Sequence, residues 1–233
     1  MSDPIPVCDY EGSDYHARFW QNQGRDYEDR AERVALRRLM PPRGDTLLDV
    51  GAGFGRLADE YAGYRRVVLF DYSRSLLREA RQRWGDDPRF FYVAGNWYHL
   101  PFVDDLFETL VQVRTLHHAA DPPALFDELA RVARADAAYV LEFASKHNVK
   151  AMLRYWLGRQ TWSPFDPQPV EFVALNYDFH RSAQASEDGA AAGLGHGAMH
   201  QAACGHGRAQ RAGGSDHRQG QPLVDRPAIR RVL

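Results

Sequence analysis

The chain has 233 residues, 44% hydrophobic and 26% charged, with a formal net charge of −2. That length suffices for one α/β domain with a substantial core, and the near-neutral balance argues against nucleic acid as a partner. Cys8 and Cys204 lie too far apart to suggest a disulfide framework, and neither a signal-peptide core nor an apolar run of membrane-spanning length is seen, so a soluble cytoplasmic protein with no integral membrane segment is expected.

Residues 1–24 are polar with interspersed aromatics, among them Tyr10, Tyr15 and Trp20. Arg25 to Leu39 reads as a helix with Ala31, Val34, Ala35 and Leu39 on its apolar stripe, stopped by Pro41-Pro42-Arg43-Gly44. Next comes the most informative stretch, Leu47-Leu48-Asp49-Val50-Gly51-Ala52-Gly53-Phe54-Gly55-Arg56-Leu57. It reads as a buried strand, a glycine turn and the start of a helix. Alternate glycines permit a sharp turn and a close approach to a ligand, and amides at the head of the helix would face an anionic group. Val67 to Asp71 is a second apolar strand, ending in an acid placed to accept both hydroxyls of a ribose. Glycine turn and terminal acid together point to a nucleoside site on a doubly wound parallel sheet. The nucleoside could belong to NAD or to S-adenosylmethionine. The dinucleotide fingerprint G-x-G-x-x-G spaces its third glycine five residues after the first, whereas here Gly55 follows Gly51 by four.

The pattern D-x-G-x-G-x-G over Asp49 to Gly55, followed by a strand ending in Asp71, resembles motifs I and II of class I S-adenosylmethionine-dependent methyltransferases. Gly95-Asn96-Trp97-Tyr98-His99-Leu100-Pro101-Phe102 is similar to the G-D-A-x-x-L-P-F stretch of the ubiquinone/menaquinone-type ("type 11") members, with Asn96 at the acidic position. Leu106-Phe107-Glu108 and the strand after it match the family's D-x-x-F-D segment, with Glu108 for the usual Asp. The resemblance implies a Rossmann-like sheet and transfer of a sulfonium methyl group to a small-molecule acceptor. It implies that Gly51, Gly53 and Gly55 hold the methionine end, with Asp49 supporting the loop or meeting the amino group. Asp71, with Tyr72 beside it, takes the ribose, Asn96 and Trp97 the adenine, and Arg114 the amino group through its carbonyl. In similar enzymes an aromatic followed by an acid lies over the cofactor, and Tyr27-Glu28 fits that description.

Ser73 is a good N-cap for the helix ending near Gly85, and Asp121 with Pro122 opens another whose apolar face carries Leu125, Phe126, Leu129 and Val132. Between them, His117 and His118 are paired. His117 is the candidate catalytic base; the competing reading has it packed against a carbonyl with His118 in solvent. No metal site is expected there. A turn at Ala135–Ala138 and a strand at Tyr139–Phe143 follow. Residues 145–162 read as a basic helix with Met152, Leu153, Trp156 and Leu157 along one side, facing the core by the commoner reading, or else a membrane surface or an apolar substrate. An extended segment is expected around Val170–Leu175.

After residue 180 the composition changes. No aromatic occurs in residues 181–233, and up to residue 221 Leu194 and Met199 are almost the only aliphatics. Such a segment cannot bury enough surface to offset its ordering entropy, so low order and no pair of strands is expected, leaving the family's last β-hairpin missing or incomplete. A displaced reading frame in a GC-rich gene would produce this composition, and another frame downstream should then encode a helix and two apolar strands. His196, His200, Cys204 and His206 have a spacing that could ligate zinc on a helix, but intervening glycines oppose one. The expected division is N-terminal cap helices at 1–40, a cofactor-binding core at 41–180 and an atypical tail at 181–233. An NAD(P)-dependent oxidoreductase and a non-catalytic remnant are the rival readings; the acceptor reads as small and apolar or lipid-like, and the oligomeric state stays open.

Overall fold

The structure, a computed structural model, describes residues 5–20, 24–142, 148–166, 170–173, 176–178, 199–204 and 229–231, the last four by their backbone. Strands β1 (Gly44–Val50), β2 (Tyr64–Asp71), β3 (Phe90–Ala94), β4 (Phe107–Gln112) and β5 (Ala133–Glu142) form the parallel body of a sheet in the order β3-β2-β1-β4-β5. Helices α1 (Tyr15–Phe19), α2 (Asp26–Leu39), α3 (Arg74–Trp84), α4 (Pro122–Val132) and α5 (Val149–Trp156) accompany it. This is the doubly wound class expected.

Apolar side chains leave the strands alternately to two cores. Leu48, Phe70, Leu110 and Leu141 pack with Leu125 and Leu129 of α4; Leu47, Leu69, Val111 and Val140 pack with Leu36 of α2 and Leu77 of α3. Strands buried on both faces read as unbroken apolar runs, which is why these segments were legible. The expected caps form: Ser73 accepts from the Leu76 amide at 3.3 Å and Asp121 from the Ala124 amide at 3.0 Å. Chain order reverses at β1, which lies between β2 and β4, so the segments following β1 and β4 go on to opposite faces of the sheet and leave a crevice at the carboxyl ends of the strands.

Several expectations are corrected. The glycine turn runs into one turn of 3-10 helix, Ala58–Tyr61, rather than an α-helix, because Gly55 and Gly63 leave too little chain between them. Residues 135–138 lie within β5 instead of forming a turn, pairing with β4 through Ala138. The α2 stripe is rotated: Ala35 and Leu39 pack partly buried against the core as expected, but Ala31 and Val34 are exposed, and Glu32 and Leu36 are buried. The helix predicted over 145–162 is shorter, ending in α5 at Trp156 before Gly158 takes a positive φ, and its apolar side chains face outward rather than to the core.

Residues 181–233 were expected to offer no strand pair, yet β8 (Met199–Cys204) lies antiparallel on β5 and β9 (Ile229–Arg231) antiparallel on β8. Backbone pairing asks nothing of side-chain hydrophobicity, and the open edge of β5 supplies partners. With strands of only six and three residues, the last hairpin is incomplete, as expected. β6 (Val170–Val173) pairs with β7 (Asn176–Asp178) in a separate ribbon, matching the extended segment foreseen there. His200 and Cys204 sit on a strand, not a helix, and the rest of the disorder and zinc readings lie outside the described residues. Among the described residues no helix is long and apolar enough to cross a membrane, and no three metal-binding side chains cluster.

Candidate functional site

The glycines of the first loop do three different jobs. All have positive φ, +78° at Gly51, +54° at Gly53 and +69° at Gly55. A Cβ on Gly51 would lie 2.3 Å from Thr115 Cγ2, so this glycine lets the loops after β1 and β4 touch. Gly53 faces open space, its nearest neighbour being Leu76 Cδ1 at 4.0 Å. Gly55 packs beneath Trp84 of α3, whose indole N–H donates to the Gly55 carbonyl at 2.9 Å.

The loop amides, expected to await an anion, are largely used inside the protein. Gly51 and Ala52 both donate to the Phe70 carbonyl, at 2.8 and 3.0 Å, and Gly55 donates to the Ala52 carbonyl at 3.0 Å. Gly53 donates to Asp71 Oδ2 at 2.8 Å. Asp71 therefore pins the loop, while its Oδ1 accepts from the Ser73 amide at 2.8 Å. The Tyr72 amide is a further backbone donor to this carboxylate. Burial raises the Asp71 carboxyl above the usual carboxylate range despite these backbone bonds. Asp49, two residues before Gly51, accepts from the Tyr61 hydroxyl at 2.9 Å. Burial and, to a lesser degree, Asp71 push it up to about 7, against the Tyr61 bond and Arg56.

Arginines and acids form the adjoining wall. Glu32 of α2 accepts from Arg56 through one carboxylate oxygen and from Arg114 through the other. Arg56 also bonds Asp29 and lies 3.9 Å from the Trp20 ring centroid, and Arg114 reaches Glu28 at 2.9 Å. The Arg114 amide donates to Glu142 Oε2 at 2.7 Å, and its φ of +58° is rare for a residue with a side chain.

Residues 5–20 cross above. The Tyr10 hydroxyl meets His118 Nε2 at 3.3 Å, and Glu11 accepts from the Ser75 amide at 2.9 Å and the Ser73 hydroxyl at 3.2 Å. His16 stacks on Phe54 with centroids 4.0 Å apart. Together these parts enclose a cleft whose empty space is about 920 Å³, open solvent included.

Of the residues predicted from sequence, Asp49, Gly51, Gly53, Asp71, Tyr72, Trp97 and Arg114 line this cleft. Gly55, Asn96, Tyr27 and His117 are not among the lining residues. Tyr27 is 82% exposed, since α2 turns its acidic side inward. Asn96 Oδ1 accepts from the Tyr98 amide at 2.9 Å, an Asx turn that spends the oxygen on its own loop. His118 lines the cleft and is buried, contrary to its expected place in solvent; His117 lies behind it, held down to about 3 by burial, His118 and Arg114. Of the interspersed aromatics, Tyr10, Tyr15 and Trp20 line the cleft, and so do Val7, Cys8, Arg56 and Thr115, which sequence reasoning missed. Only the aromatic spacing of residues 10–20 hinted at a roof.

The methyltransferase domain family matches residues 48–141. The chain is 29% identical over 159 residues to a demethylmenaquinone methyltransferase of Clavibacter sepedonicus, covering 67% of this chain and 56% of the relative. It is 32% identical over 137 residues to one of Roseiflexus, covering 57% and 56%. The chain thus spans little more than half the length of these relatives. A chain of the complex between the Haloferax volcanii Trm112 methyltransferase activator and a methyltransferase superposes with a TM-score of 0.53 at 21% identity, covering 73% of this chain and 71% of that one. The Haemonchus contortus phosphoethanolamine N-methyltransferase 1 does so with a TM-score of 0.53 at 16% identity, covering 70% and 34%. At those identities the structures speak for the fold alone. Residues 48–141, which carry the glycine loop and the terminal acid, thus match the methyltransferase domain family, and the sheet order agrees with the fold of these structures.

Proposed function

We propose that the cleft binds S-adenosylmethionine and promotes transfer of its methyl group to a small apolar acceptor. The observation that carries this reading is the Asp71–Gly53 bond, which holds the glycine loop beneath the cleft at the point where strand order reverses. The residues fit the cofactor. The Trp97 indole N–H is buried without a partner among the described residues, a donor that an adenine nitrogen would satisfy. The arginines of the wall are matched by Asp29, Glu28 and Glu32, so Asp49 and Asp71 remain to face a cationic, hydroxyl-rich ligand.

When bound, the cofactor supplies a methyl group already activated on a sulfonium. The protein's share is then positioning and exclusion of water. Asp71 accepts from the ribose hydroxyls, the Arg114 carbonyl and Asp49 serve the amino group, and residues 5–20 close the top. His118, backed by Tyr10, replaces His117 as the group placed to take a proton from an acceptor that must lose one. Val7, Phe54, Leu76 and Val113 give the cleft an apolar side, and the relatives named for demethylmenaquinone support a flat, apolar acceptor of quinone type. In this reading residues 1–40 form the roof and 41–180 the working unit, while the atypical stretch 181–233 adds β8 and β9 to the sheet's edge.

Calorimetric titration with S-adenosylhomocysteine tests the reading. Micromolar binding by the wild-type chain, weakened at least a hundredfold in Asp71→Ala, is expected. A folded wild-type chain that takes up no S-adenosylhomocysteine would sink it.

A further inference from the structure

A second surface, apart from the cleft, carries a distinct pattern. On α5 only Ala151 is buried. Val149, Leu153 and Trp156 are exposed by 78, 53 and 70%, and Leu157 just beyond by 56%. At 100° per residue Val149, Leu153 and Trp156 fall on one outward stripe, with Leu157 at its margin and Ala151 roughly opposite. The exposed Phe165 ring joins the patch, 6.4 Å from Trp156. Lys150 and Arg154, one turn apart and exposed, flank the stripe on one side, and Arg159 follows it.

The charge is as lopsided as the hydropathy. Residues 145–165 contain Lys146, Lys150, Arg154 and Arg159 and no acid, in a chain whose net charge is −2. Both of the chain's lysines fall in this stretch; every other cation of the Lys/Arg set is an arginine. A short helix with an outward apolar stripe, an exposed tryptophan and a one-sided cationic rim has the form of an element that lies in a bilayer interface. Its apolar face sits at the boundary of headgroups and chains, its aliphatic amines reach up to the phosphates, and its indole takes the headgroup level. A water-facing helix gains nothing from such a stripe, and a protein partner gives no reason for the absence of acids.

We propose that α5 and its flanks dock the protein on anionic phospholipid surfaces, Val149, Leu153, Trp156 and Leu157 entering the interface and Lys150, Arg154 and Arg159 meeting the phosphates. The helix follows β5 in the chain, and none of its residues lines the cleft. The inference does not rest on the reading of the cleft, and its test uses no cofactor.

The full chain is sedimented with vesicles of phosphatidylcholine and phosphatidylglycerol, and with phosphatidylcholine alone. Binding to the anionic vesicles at low salt, weakened by salt and nearly absent on the neutral ones, is expected. Lys150→Gln and Arg154→Gln should each weaken it about fivefold, and Leu153→Ser with Trp156→Ser should abolish it, circular dichroism remaining that of the wild type. Brominated lipid should quench tryptophan fluorescence in the wild type, and less in Trp156→Phe, a readout independent of the other variants. Failure to sediment with anionic vesicles overturns the proposal, as does binding that the variants leave unchanged. A dimer in sedimentation velocity that Leu153→Ser with Trp156→Ser converts to monomer, without vesicle binding, would assign the face to a second copy instead.

Discussion

Helices α2 and α5 are both amphipathic in sequence, and neither buries its apolar stripe in the simple way. In α2 the acidic side turns inward, because Glu32 finds two arginines waiting, Arg56 from the glycine loop and Arg114 from the end of β4. In α5 no described counter-ion or core accepts the helix beyond Ala151, and the apolar stripe stays outside. Periodicity therefore reports that two faces differ. Which one turns inward depends on what the rest of the fold presents, and for α2 that is a pair of cations on loops distant in sequence.

The largest expected effect breaks the α2 side of this contrast. Glu32→Ala leaves two partly buried guanidinium groups without their shared carboxylate, and removing one member of a buried ion network costs about 3–5 kcal/mol. Urea denaturation should show that loss, and S-adenosylhomocysteine affinity should fall with it, because Arg56 belongs to the loop. A cost no greater than that of an exposed substitution would mean the network is ornamental and the orientation of α2 has another cause.

Next come the loop glycines, which ask the same question of the cleft: is a position set by its neighbours or by its backbone alone? Gly51→Ala meets Thr115 and a positive φ together and should cost about 2–4 kcal/mol. Gly53→Ala meets only the φ, and about 1 kcal/mol is expected. Equal costs in thermal denaturation would show that the loops after β1 and β4 separate freely.

Asp49 gives a pH-resolved test of a buried acid that, unlike Glu32, has no direct cationic partner. Its folded value of about 7 stands above the ordinary 3.8, so the native state holds the proton more tightly than the unfolded one. The penalty is absent below about pH 4, grows as pH rises, and is complete above about pH 7. Asp49→Asn should therefore gain on the wild type in chemical denaturation between pH 5 and 8; a difference that stays flat across that range would remove Asp49 as a titrating group. The smallest effect belongs to α5: Trp156→Ala should change stability by no more than about 0.5 kcal/mol, since an exposed side chain leaves no cavity. A loss of several kcal/mol would show the stripe to be covered after all.

What could be read from the sequence follows the same division. The strands at the centre of the sheet, the glycine loop and Asp71 were legible because each is specified locally, by apolar runs, by turn chemistry and by a terminal acid. Asn96 and His118 were misplaced because their surroundings are set from elsewhere. The side chain of Asn96 closes its own turn, and His118 is buried by Tyr10, more than a hundred residues earlier. The α-helix expected after Gly55 failed for a local reason, the nearness of Gly63. The tail pair β8–β9 was unforeseeable from hydropathy, because its described basis is backbone pairing with an open edge.

The roof of the cleft is fastened unlike its floor. The floor belongs to a strand ladder in which each residue is held by its neighbours, while residues 10–16 are tied down by side-chain bonds to Ser73, Ser75, Glu79 and His118, several of them in contact with water. Segments held in that manner open at a small fraction of the global unfolding free energy. Exchange of ligand with solvent can thus be gated by a latch that lifts while the sheet stays closed, and slow-exchanging amides should mark the strands long after those of residues 10–16 have lost their protection.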